Sequence, residues 1–442
     1  ATKDGGYNQQ MFGNGNVPTI QSNFLDFFTD NAYMANGNFV FDSITAETLG
    51  KNYFNVEKAT INGDIVADNN GGSNVIIGKT LNLGGNHIAI SIRALGTGGN
   101  GYNTIIADQV VANISSIEAG NIGGWMDYDN IITANTGNIN IASISAIFYN
   151  NGNQRQNTPT NTITLKSGTL NIGSITSSSG YGRIIGNFFN LGESGKVAAS
   201  VTGDVSTTEN GARTVFNLSG NESTLTFGGN ISTTNNGAQT NISLVGTNST
   251  LTLNGKTTGG TNHEITSLNT SGGNNTLTLD NSTVTDGAMT TKIHEVKNGG
   301  NLTVVFKGQS GKGATLELDN ATGTTLKAVT LGTSAQGNTL AFQAGANKIL
   351  NAVNVEASKK LIINLSGTST SLHLGEGYSK SGNGEANIKA SSGSATLTGG
   401  NIDASTLTFE NNTSLALSNG IANFANVDSS AGNATLTLNG NN

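Results

Sequence analysis

The chain has 442 residues, a formal net charge of −7, 61 glycines, only 2 prolines and no cysteine, and just 11% of its residues are charged. Without cysteine there is no disulfide scaffold, thiolate zinc site or cysteine nucleophile; without a basic run there is no electrostatic footprint for nucleic acid, so no nucleic-acid partner is expected. No apolar run reaches the ~18–20 residues of a membrane helix, and Asn, Ser and Thr fill the places where Lys and Glu usually stand.

Residues 1–55 hold an aromatic density found nowhere else in the chain. Ile20, Phe24, Phe27 and Phe28 fall on one side of a helix, so this segment reads as a small N-terminal cap over the open end of a stack of strands, with a docking surface for a partner chain as the alternative. From 56 to 200 the apolar residues alternate with polar ones at strand period. The strings Asn113–Ile117 (NISSI), Asn140–Ile144 (NIASI) and Asn171–Ile175 (NIGSI) recur at uneven intervals, which predicts coils of unequal length with loop insertions.

Within this stretch Gly96-Thr-Gly98-Gly-Asn-Gly101 matches a dinucleotide-binding glycine pattern. That pattern requires a helix at its last glycine, and the β-branched run that follows predicts a strand instead, so no cofactor is expected. Residues 123–130, GGWMDYDN, place Trp125, Asp127, Tyr128 and Asp129 together. Aromatic rings beside carboxylates suit sugars, which makes these four the candidate ligand-binding residues; a loop anchored by the lone Trp is the plainer alternative.

From 201 to 442 the period is regular. Ser223-Thr-Leu225-Thr-Phe227 returns 26 residues later as Ser249-Thr-Leu251-Thr-Leu253, and 26 later again as Asn275-Thr-Leu277-Thr-Leu279. A fixed period of this length signals a solenoid. About 26 residues suffice for three strands of about five and three short turns, one coil of a parallel β-helix. The expected fold is therefore all-β, a parallel β-helix with Leu225, Leu251 and Leu277 stacked inward and Thr224, Thr250 and Thr276 outward.

Other motifs are incomplete. Gly311-Lys312 lacks the Ser or Thr of a phosphate-binding loop, and His263-Glu264 and His294-Glu295 repeat a dipeptide without completing a zinc-binding H-E-x-x-H. Coil stacking could bring the two dipeptides together, but a structural or surface role is favoured. There is no serine-nucleophile elbow and no calcium nonapeptide, so no catalytic residue and no metal ligand is assigned.

The N-T-L-T-L, S-T-L-T-L-N-G and N-I-x-S-I strings, the Gly/Asn turns and the lack of cysteine resemble autotransporter passenger regions, nearest to the vacuolating-cytotoxin-like family of Gram-negative bacteria, over about residues 100–442. The resemblance implies a right-handed β-helix exported through a C-terminal β-barrel that this chain lacks, and displayed at or shed from the outer membrane. The family's apolar Gly-x-x-x-Gly pore segment has no counterpart in residues 1–50. The expected function is a non-enzymatic adhesin that meets a host-cell protein or glycan, or neighbouring bacterial cells. A toxin-like passenger binding a receptor or membrane is the second expectation. A polysaccharide-degrading enzyme is the third, which three or more charged side chains converging in one groove would support.

Overall fold

The computed structural model describes residues 7–9, 35–47, 50–68, 71–84, 89–96, 101–121, 128–148, 159–179, 185–235, 237–308, 312–332, 335–418, 420–430 and 432–439. These residues form a parallel β-solenoid. Among them the only helical segment is a 3-10 turn, Gly299–Asn301. The helix expected over Ile20–Phe28 lies outside the described residues. Two compact units divide the chain, one of residues 1–216 with 234–239, the other of 217–233 with 240–442.

In the first unit the stacking already runs through the described part of the expected cap. Ala35–Phe41 pairs with Lys51–Ile61, and Ile44–Glu47 with Ile65–Asp68, both in parallel. One inward column shows what the alternation achieves. Ile44, Ile65, Ile92, Ile117, Ile144, Ile175 and Val205 lie directly above one another, all buried, although the steps between them vary from 21 to 31 residues. Each coil buries its apolar face only against the next, so the extra residues are absorbed between strands while the strand register is kept. The three N-I-x-S-I strings are in register with one another. Their two isoleucines, three residues apart, are both buried. An uninterrupted strand would point them to opposite faces, so each string marks a corner.

A second column of this unit is polar. Asn52, Asn74, Asn103, Asn130, Asn161 and Asn187 are stacked in register and buried. From Asn52 to Asn161, each side-chain amide donates one hydrogen to the Oδ1 of the next asparagine at 2.8 Å. The other hydrogen goes to the carbonyl of Thr45, Val66, Arg93, Glu118 or Ser145, on the neighbouring strand of the same coil. The row ends where Asn187 donates to the Thr176 carbonyl and to the Ser177 hydroxyl, which in turn lies 3.0 Å from Thr214 Oγ1. A buried amide that kept either hydrogen unpaired would cost about 1–3 kcal/mol, and the repeat satisfies both.

In the second unit the 26-residue period has the expected geometry. Leu225, Leu251 and Leu277 pair directly, as do Phe227, Leu253 and Leu279, and all six are fully buried. Thr224, Thr250 and Thr276 form the outward column beside them. Glu222, Asn248 and Asn274, one residue before each strand-opening Ser or Asn, all have φ of 56–57°. Asparagine tolerates this left-handed conformation better than most side chains, which accounts for two of the three residues at this corner. Further along, Leu316, Leu340, Ile363, Ile388 and Leu407 continue a buried column. In the last described strand Thr435–Asn439, Leu436 and Leu438 keep the register but are exposed.

Candidate functional site

Of the four residues expected to bind a ligand, Trp125 and Asp127 lie outside the described residues. Tyr128 opens the strand Tyr128–Phe148 and is fully buried. Its ring fills the space left by two glycines of the G-x-G-x-x-G string: a Cβ on Gly96 would overlap its hydroxyl, and one on Gly101 would come within 2.8 Å of its ring. Tyr128 is therefore a core side chain and offers no face to a sugar. Gly101 begins the strand Gly101–Asn121, so no helix follows the string. Asp129, on the opposite face, accepts from the Thr160 backbone N–H at 2.9 Å and from its hydroxyl at 2.7 Å, a bond to the next coil.

Among the described residues a cluster of charge lies instead on the second unit. The strands Thr261–Asn269, Met289–Lys297 and Ala314–Leu318 stack in consecutive coils, with Ile265, Ile293 and Leu318 inward. Their alternation sends Glu264, Lys292 and Glu317 outward in one column. His294 and Asp319, each one residue beyond a buried apolar residue, flank that column. His294 Nε2 lies 2.9 Å from Glu264 Oε1, and its Nδ1 lies 3.0 Å from Asp319 Oδ2. Lys292 Nζ is 3.2 Å from the same Asp319 oxygen, and Gln343 donates to Glu317 at 3.1 Å. One imidazole thus bridges carboxylates two coils apart. His294 and Lys292 are each about a third exposed, so solvent reaches the cluster. No group of His, Asp or Glu suited to holding a metal is found among the described residues.

The other half of the His-Glu repeat behaves differently. His263 points inward, in the column of Ile231 and Thr291, and is fully buried, with Nδ1 3.1 Å from Thr291 Oγ1. Burial pushes its pKa down to about 4, Lys256 adds to this, and the backbone of Gly229 works the other way. The ring is neutral across most of the pH scale. The two dipeptides are out of step, because His263 stands over Thr291 and not over His294. The contact joins the Glu of the first dipeptide to the His of the second. Sequence spacing hid it, since the register step here is 28 residues where the neighbouring strands step by 26.

Elsewhere charges pair between neighbouring coils. Lys307 with Asp280, Lys360 with Glu385 and Lys389 with Glu410 lie 2.7–2.8 Å apart. Such surface pairs contribute little to stability, about 0–1 kcal/mol each. Other outward columns are neutral over several coils. In the first unit Asn113, Asn140 and Asn171 are exposed and in register, Asn171 donating to Asn140 at 2.9 Å and Ser200 to Asn171 at 2.8 Å. Compared with known proteins, the chain matches no family model, no curated protein and no solved structure.

Proposed function

We propose that this chain is a secreted or surface-displayed passenger of the autotransporter type that acts without catalysis, as an adhesin for a host-cell protein or glycan or for neighbouring bacterial cells. The observation that carries this reading is the run of neutral amide and hydroxyl columns on the outside: Asn113, Asn140, Asn171 and Ser200 in the first unit, Thr224, Thr250, Thr276 and Thr303 in the second. Amides and hydroxyls repeated about every 4.8 Å can meet an extended polar ligand through many weak bonds, none of them dependent on a pocket. The absence of cysteine suits passage through an oxidising compartment. A glycan array and a cell-binding assay with the purified chain test it. Replacing Asn140 and Asn171 by glutamate should reduce binding while leaving the fold intact, because both side chains point outward; equal binding by wild type and variant overturns the reading.

A second reading, a polysaccharide-cleaving enzyme, is favoured by the Glu264–Lys292–His294–Asp319 cluster, which brings acid, base and cation onto adjacent coils. Its test is release of reducing ends or unsaturated sugars from a panel of polysaccharides. Turnover that disappears in Glu264→Gln and Asp319→Asn supports it, and a lack of turnover on the whole panel removes it.

A further inference from the structure

The contacts of His294 impose a proton count. A neutral imidazole has one N–H and one lone pair, whereas the imidazolium has two N–H donors. Both ring nitrogens of His294 lie at 2.9–3.0 Å from carboxylate oxygens, which accept and cannot donate when ionised. Both contacts are attractive only if the ring carries both protons. With one proton gone, a ring lone pair faces a carboxylate. The surrounding charges sharpen the difference. From the strand Thr261–Asn269 the ring meets Glu264. Its own strand supplies Lys292 and the exposed Glu295, which pairs with Lys297 at 3.1 Å. The third coil contributes Glu317 and Asp319. Lys292 is shared with Asp319 at 3.2 Å, so the ring's charge is the only cation within hydrogen-bond reach of Glu264 in this cluster.

We propose that His294 is a proton-dependent clamp: as an imidazolium it ties Glu264 to Asp319 across three consecutive coils, and these coils loosen when the ring loses its second proton. The device sits on the outer face of the solenoid, so it sets how firmly that face is held in register in acidic and in neutral surroundings. A histidine elsewhere in the same unit gives an internal comparison. His373 Nδ1 lies 3.0 Å from Thr398 Oγ1, and a hydroxyl can donate to or accept from a ring nitrogen. That contact survives either protonation state.

The test is backbone hydrogen exchange of the full chain, read by mass spectrometry at about pH 5.5 and about pH 8 and corrected for the intrinsic rate. At about pH 5.5 the strands Thr261–Asn269 and Met289–Lys297 should be about 3- to 5-fold better protected in the wild type than in His294→Gln, as expected for a solvent-screened charged contact, and at about pH 8 the two proteins should be alike, a comparison in which the contribution of buried His263 cancels. The strand Thr368–Leu374 should not change. His294→Gln is uncharged at both values, so any pH response left in its first two strands belongs to other groups, His263 among them. Glu264→Gln, which keeps the ring but removes one carboxylate, should show a smaller response than the wild type. Equal protection of wild type and His294→Gln at about pH 5.5 overturns the proposal, and so does a difference between them that is undiminished at about pH 8.

Discussion

Two individual positions show most directly how this sequence holds its shape. Asn130 receives one hydrogen bond from Asn103 and gives two, to Asn161 and to the Glu118 carbonyl. Asn130→Ala would strand one donor and two acceptors in the interior, and each orphan costs about 1–3 kcal/mol. Denaturant unfolding should show a loss of about 3 kcal/mol or more; a loss below 1 would mean that the row is incidental. Glu222 is the opposite case. It adopts φ of 57° where the next two repeats use asparagine, and its backbone N–H already bonds the Thr247 carbonyl. Glu222→Asn should therefore raise stability by about 0.5 kcal/mol, the expected relief for a left-handed position, measured as a small increase in Tm. The asparagine row itself was hard to read from sequence because asparagine is abundant at turns and on the outer face as well. The distinguishing sign is only that each buried asparagine precedes an inward apolar residue by two, as in Asn103-Thr-Ile105 and Asn161-Thr-Ile163.

For single strands, the sequence was most legible where the period was strict. The Leu225 and Phe227 columns lie where a 26-residue repeat requires them. The cluster around His294 was not legible, because the segment between the strands Asn275–Asn281 and Met289–Lys297 shifts the register. Tyr128 faces the core for a related reason: in a strand, neighbours alternate faces, so its place beside Asp129 in sequence does not give the two a shared surface. The strand Thr261–Asn269 carries its own pH dependence through His263. Folding lowers this ring to about 4, against ~6.5 in the unfolded chain. Between those values the unfolded state binds a proton that the folded state refuses, so stability rises with pH there. The contribution is fully present above ~6.5 and is lost as the pH falls toward 4, on the order of 3 kcal/mol in total. Thermal unfolding from about pH 7 to about pH 4 should show a decline that His263→Leu flattens; an equal decline in the variant would place the acid sensitivity in the carboxylates instead.

Over the whole molecule, composition told more than any motif. Few charges, many small polar residues and a solenoid period were enough to foresee coils whose surfaces are largely amide and hydroxyl. The ligand was not foreseeable, because a periodic surface carries no local signature of what it meets. If the neutral columns do the binding, affinity should change less than about twofold between 0.05 and 0.5 M salt, since screening acts on charges and hardly on neutral hydrogen bonds. A steep salt dependence, measured by surface plasmon resonance on the cell-surface target, would shift attention to the Glu264–Asp319 cluster.

The asparagine row also has a direction. From Asn52 to Asn161, each amide gives one hydrogen to the asparagine that follows it in the chain, so these bonds line up like railway couplings facing one way. An asparagine at the end of the row has an asparagine partner on a single side, whereas one in the middle is held from above and below, and the backbone ladder runs on past both ends. Taking an amide out of the middle of the row should therefore cost more than taking one from its start, because two asparagine couplings are lost there and one at Asn52.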